Sequence, residues 1–118
     1  VLMALGKDFV VICMEAVEQG SRIRLEEQFE KTGKDVIDIS FNQMESFAGN
    51  MLQVEKADHN PLLVMSKSAY ESLNANQLST LESKTDILPV SIPTIEQIGG
   101  GSARCMMAEV FLPQRFNV

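Results

Sequence analysis

The run Phe9-Val10-Val11-Ile12-Cys13-Met14 is apolar without a break and rich in β-branched side chains. Side chains on a strand alternate between its two faces, so a run with no polar member needs apolar cover on both. The run therefore predicts a buried strand, and Cys13 inside it reads as core filling. Working outward, Val1 to Leu5 predicts a short first strand, with Gly6-Lys7-Asp8 as the turn between them. Downstream, Ser21 is placed to cap a helix over residues 22–31, with Ile23, Leu25 and Phe29 inward and Gly33 at its end. Asp35-Val36-Ile37-Asp38-Ile39-Ser40 alternates polar and apolar, which predicts a strand. The order is strand, strand, helix, strand.

The second half repeats it. Asn50-Met51-Leu52-Gln53-Val54-Glu55 alternates as a strand does, Lys56 to Asn60 is a polar turn, and Leu62-Leu63-Val64-Met65 predicts a second buried strand. Ser68 with Glu71 predicts a capping box for a helix broken near Asn74-Ala75-Asn76 and resumed through Leu78 and Leu81. Thr85 to Ile92 predicts the closing strand, with Pro89 in its middle, and Thr94 with Gln97 predicts one capped helical turn. The chain thus divides into a first ββαβ unit (1–46), a second (47–93) and a closing segment (94–118). Two helices give little cover for strands like Phe9 to Met14. That points to a radially repeated α/β architecture to which these units contribute. An apolar face built from residues such as Leu2 and Val10, or self-association, is the corresponding expectation.

The closing segment carries the candidate chemistry. Ile98-Gly99-Gly100-Gly101-Ser102-Ala103-Arg104-Cys105 sets three glycines ahead of a cysteine with an arginine beside it. Met106 to Leu112 follows as an apolar run that predicts a buried strand stopped by Pro113. A sulfur at the junction of loop and strand is held yet reachable, and a neighbouring cation such as Arg104 favours its thiolate. The plain alternative is a glycine hinge beside a small core residue.

The whole composition narrows the function classes. The chain has 118 residues, 45% apolar and 22% charged, as expected of one ordinary folded domain. Its net charge of −6 and scattered basic residues argue against binding nucleic acid. No run is apolar for long enough to span a bilayer and no signal peptide opens the chain, so a cytoplasmic location with reduced Cys13 and Cys105 is expected. One histidine and two distant cysteines give no metal-ligand spacing, and no cofactor motif is present. The methionines, including Met106 and Met107, read as core fillers. The chain opens on Val1 inside a strand, and the expectation is a C-terminal piece of a longer protein.

The segment Gly99 to Met106 resembles the nucleophile segment of the arginine deiminase and amidinotransferase superfamily, the pentein fold. Phe47-Ala48-Gly49-Asn50-Met51-Leu52 and Ala108-Glu109-Val110-Phe111-Leu112-Pro113 are similar to a bacterial amidinotransferase branch linked to citrulline use. The resemblance implies a five-bladed α/β propeller of ββαβ blades, of which this chain supplies about two. It implies a guanidino or ureido substrate, attacked by the Cys105 thiolate to give a covalent thiouronium. Carboxylates hold the substrate cation, and a histidine protonates the leaving amine. Water or an amine then completes hydrolysis or transfer. Gly99, Gly100, Gly101 and Ser102 match the loop before the nucleophile, and Asn50 stands at the mouth of its strand where it can line the axis.

The resemblance also implies that the catalytic histidine and most of the carboxylates belong to sequence absent here. His59, the one histidine, matches no family motif and reads as a solvated turn residue. The chain alone is then expected to be inactive. The partners implied are the small substrate and the missing N-terminal part, or a second copy of the chain. Arg104 has two readings, an aid to the thiolate or substrate carboxylate and a surface charge. Asn50 has a turn reading as well, and Glu109, on the Cys105 side of its strand, reads as structural. A rival from another class is a non-catalytic pentein-fold binding module, which has no need of Cys105. A redox-active cysteine is the weakest reading, since no resolving cysteine lies near.

Overall fold

The computed structural model describes residues 1–112. Its elements are β1 (Met3–Leu5), β2 (Phe9–Ile12), α1 (Gln19–Lys31), β3 (Asp35–Asp38), α2 (Phe41–Glu45), β4 (Leu52–Glu55), β5 (Pro61–Ser66), α3 (Lys67–Ser72), α4 (Ala75–Glu82) and β6 (Asp86–Val90). They form two three-stranded sheets, β1-β2-β3 and β4-β5-β6. In each sheet the first two strands are antiparallel and the last two parallel. A parallel pair cannot be closed by a tight turn, and helices make the crossover in both. The strand–strand–helix–strand order is thus present twice.

The register of β2 explains its unbroken apolar sequence. Phe9, Val11 and Cys13 join a cluster with Ile37 and Ile39 of the first unit and Met51, Leu63, Met65, Ala69 and Leu81 of the second. Val10 and Ile12 face the other way, onto Met14, Val17 and Phe29, with Met3 and Leu25 at the rim. One face of β2 is therefore covered by its own helix α1 and the other by the neighbouring unit. This corrects the expectation for Val10, which is fully buried under α1, whereas Leu2 is exposed. Polar groups tie the units together too. Gln43 Nε2 donates to Ser72 O at 2.9 Å, and Gln77 Nε2 donates to Asp38 O at 2.8 Å.

Several local expectations need correction. Helix α1 starts at Gln19, because the Ser21 N–H already donates to Glu18 O at 2.9 Å, so Ser21 lies inside the first turn rather than capping it. Ile23 is then rotated outward and exposed, while Phe29 is buried. The cap of α3 is Ser66, whose Oγ accepts from the Ala69 N–H at 3.0 Å, so the Ser68–Glu71 box does not form. The break at Asn74 is real, and Asn74 with Gln77 makes the capping box of α4. Helix α2 has the same signature in Ser40 and Gln43 and was not expected. Thr94 makes no side-chain cap on the π-helical turn Ile95–Gly99. Pro89 is accommodated because β6 pairs with β5 alone, at a sheet edge.

The largest correction concerns Met106 to Leu112. Arg104–Met106 is a single 3₁₀ turn, and residues 107–112 have no regular structure. Val110, Phe111 and Leu112 are 75–87% exposed. Their sequence suits a strand, but a strand exists only in a ladder, and this segment pairs with none of the described strands. Pro113, the expected stop, lies outside the described residues.

Two glycines give opposite stability predictions. Gly33 ends α1 with φ +69°, which a Cβ disfavours. Gly33→Ala is expected to cost about 1 kcal/mol. Gly20 lies inside α1, where an added Cβ meets nothing within 4 Å. Gly20→Ala is expected to stabilise by about 0.5–1 kcal/mol. Urea midpoints of the two variants check both signs.

Candidate functional site

The site is built where the loop into β4 meets the glycine loop. Phe47 takes φ +67°, and an added Cβ at Gly49 would collide with the Val1 carbonyl oxygen. The backbones of the two units thus approach at Gly49, and that approach sets the next residue, Asn50, which is 3% exposed. The Asn50 amide is used at both ends. Its Nδ2 donates to Cys105 Sγ at 3.1 Å, and its Oδ1 accepts from the Arg104 N–H at 3.1 Å. A single side chain therefore grips both the sulfur and the backbone that carries it.

On the other side, Ile95–Gly99 forms the π-helical turn, and Gly100 at φ 68° reverses the chain. Gly101 lies against the nucleophile candidate, where an added Cβ would come within 3.3 Å of Cys105 Cβ and Sγ. Ser102 and Ala103 are buried. Ser102 Oγ donates to Glu96 Oε1 at 2.7 Å, and Ser102 O accepts from the Cys105 N–H at 3.1 Å. The glycine loop is therefore anchored at Glu96 and at Asn50, with Cys105 between them. Cys105 is exposed, whereas Cys13 is buried.

The Cys105 thiol lies below its ordinary range, chiefly because the Asn50 amide N–H donates to it and secondarily through a backbone hydrogen bond from Ser102. A donor aimed at sulfur favours the thiolate over the thiol. The Arg104 guanidinium is not among these causes. Arg104 contributes its backbone N–H, and the residue lines a cavity of ≈ 460 Å³ together with Lys7, Gln53 and Glu109.

The structure therefore brings Asn50, Gly101, Ser102, Arg104 and Cys105 together, with Gly99 and Gly100 as the turn that delivers them. It keeps His59 apart, in the β4–β5 turn, exposed and paired with Glu55. The reading of Met106 and Met107 as core fillers is corrected: Met106 is 55% exposed and Met107 half-buried, because the strand that would have buried them does not form. Glu96 was missed. An acid three residues before a glycine run looks like a surface residue, and nothing local marks it as buried. Among the described residues no cluster of three or more His, Cys, Asp or Glu is placed to hold a metal ion. No helix among them is long and apolar enough to cross a membrane.

The site is thus an exposed thiol at the end of a glycine loop, with the Asn50 amide donating to its sulfur. Residues 1–112 match the family model of N,N dimethylarginine dimethylhydrolase, eukaryotic, and the chain belongs to that family. Comparison with curated proteins found no match, and neither did comparison with solved structures. The matched family is a hydrolase family within the superfamily that the glycine–cysteine segment resembles.

Proposed function

We propose that the chain is the nucleophile-bearing part of a guanidino-group hydrolase, with Cys105 as nucleophile. The contact from Asn50 Nδ2 to Cys105 Sγ carries this reading, since it gives one exposed sulfur both a fixed place and thiolate character. The thiolate attacks the planar carbon of an arginine-like guanidinium, forming an S–C bond. The C–N bond to the leaving amine then breaks, and the amine departs with an added proton. Water adds to the carbon of the thiouronium, the C–S bond breaks, and a ureido product leaves. The hydrolase family favours water as acceptor over a second amine, which would make the reaction an amidino transfer. Arg104, on the adjoining cavity with Lys7, suits the carboxylate of an amino-acid substrate.

The proton for the leaving amine needs an acid beside the sulfur. His59 is the sequence's only histidine, and its ring is held by Glu55 in a solvated turn. We therefore assign the acid–base histidine and the substrate carboxylates to protein outside these 118 residues, contributed by further ββαβ blades of a five-bladed propeller in a cytoplasmic enzyme. The exposed apolar residues Val110, Phe111 and Leu112 fit a surface that such blades cover. No nucleic acid, membrane, metal or cofactor enters this scheme. A non-catalytic binder gives no reason for a donor aimed at sulfur.

Two outcomes test this on the 118-residue chain. Iodoacetamide below neutral pH is expected to label Cys105 well before Cys13, because only Cys105 is both exposed and shifted toward thiolate. Equal labelling in the folded chain overturns the primed thiol. With arginine, methylated arginines, agmatine or citrulline, the same chain is expected to show no turnover. Turnover at the intact enzyme's rate overturns the assignment of the acid to another part of the protein.

A further inference from the structure

We propose that Glu96 is a positioning residue for Cys105, holding the nucleophile loop in place through its hydrogen bond to Ser102. The proposal deepens the reading of Cys105 as nucleophile and rests on it. The observations are four. Glu96 is 8% exposed, although it stands on a turn beside the flexible glycine run. Its Oε1 accepts from Ser102 Oγ at 2.7 Å, and Ser102 is fully buried. The Ser102 carbonyl accepts the Cys105 N–H at 3.1 Å. Between the two anchors run Gly99, Gly100 and Gly101, which have no side chains to fix them by packing.

A loop with three consecutive glycines loses much conformational freedom when it is ordered. Something has to hold its far end, and Asn50 reaches only Arg104 and Cys105. The Glu96–Ser102 bond closes the glycine turn from within, so Ser102 presents its backbone to the cysteine in one place. A buried carboxylate is costly unless a donor meets it, which is why this bond is a structural commitment and not a surface contact. The cavity of ≈ 250 Å³ beside Glu96 is lined by Glu45, Ser46, Phe47, Ser68, Pro93 and Gln97. Glu45 is the only other charged group on it, so no cation there draws Glu96 away from Ser102. The same cavity touches Phe47, three residues before Asn50, so both anchors rise from one patch of the fold.

The test reads sulfur reactivity, which needs no substrate. Iodoacetamide alkylation of Cys105 is followed against pH in wild type, Glu96→Ala, Ser102→Ala, the double variant and Glu96→Gln, with burial of Cys13 as the folding control. Glu96→Ala and Ser102→Ala are each expected to slow alkylation near pH 7 about 3- to 10-fold, on the scale of one lost hydrogen bond, and to move the midpoint upward toward an ordinary thiol. The double variant is expected to fall no further than either single one, because both remove the same bond. Glu96→Gln keeps an acceptor for the Ser102 hydroxyl and is expected to restore most of the rate. A folded Glu96→Ala or Ser102→Ala chain with the wild-type profile overturns the proposal, as does a Glu96→Gln profile as poor as that of Glu96→Ala. None of these outcomes decides whether Cys105 is the nucleophile, which the turnover of Cys105 variants decides separately.

Discussion

Replacing Cys105 with alanine is expected to abolish turnover of guanidino substrates in the intact enzyme, with no covalent adduct at this position. On the proposed mechanism the sulfur is the atom that bonds the guanidinium carbon, and alanine offers nothing that can form that bond. Cys105→Ser is the sharper variant, because it keeps volume and one hydrogen-bonding atom. A serine hydroxyl ionises far less readily than a thiol, and Asn50 alone does not make up the difference. Turnover is therefore expected to fall by about 10³-fold or more, equivalent to about 4 kcal/mol on the barrier. Neither change should unfold the protein, since residue 105 is exposed and its backbone N–H, not its side chain, bonds to Ser102 O. Mass spectrometry after mixing enzyme with arginine, methylated arginines, agmatine and citrulline checks the chemistry directly. A substrate-derived adduct on Cys105 in wild type, lost in Cys105→Ala, supports covalent catalysis. Wild-type turnover by Cys105→Ala on any of these compounds sinks it.

The fold was legible where alternation and length carry the signal. Phe9 to Met14 reads as a strand with apolar material on both sides; the strand itself spans Phe9–Ile12, with Met14 opening a 3₁₀ turn, and that material is α1 on one side and the second unit on the other. What the sequence could not say was which neighbour covers which face, so Val10 was assigned to an open surface. Helix starts misled for a different reason. Ser21 and Ser68 are good capping residues, but so are Ser40 and Ser66, and backbone geometry chose among them. The tail erred most, because Met106 to Leu112 carries strand propensity without a ladder to join. In the site, Cys105 and its glycines stood out from the order of the local segment, beside the plainer reading of a glycine hinge. Asn50 was visible only through its place beside Gly49, and Glu96 not at all, since burial of a lone acid depends on a partner, Ser102, that local pattern does not reveal.

Asn50 is the residue on which the electrostatic argument turns, and its substitutions separate position from charge. Asn50→Ala removes both the donor to Sγ and the acceptor for the Arg104 N–H, so the loop is released and the thiolate loses its main stabiliser. Turnover in the intact enzyme is expected to drop by about 10²-fold, the scale at which a misplaced reacting group costs rate. The sign of the pH effect follows from the wild-type shift. Because Asn50 holds the thiol below its ordinary range, alkylation of Cys105 rises at lower pH than for an unperturbed thiol, and removing Asn50 moves that rise to higher pH. Asn50→Asp keeps size and the acceptor for Arg104 but sets a carboxylate against the sulfur. Like charges disfavour ionisation, so the rise is expected to move further up than in Asn50→Ala, although the loop is better held. If position alone mattered, Asn50→Asp would react faster than Asn50→Ala near neutral pH. If the charge facing the sulfur matters more, it reacts more slowly, and that is the order expected here. Rates of Cys105 alkylation from pH 5 to 10 in the three proteins decide between the two, and an unchanged midpoint in Asn50→Ala would remove Asn50 from the account.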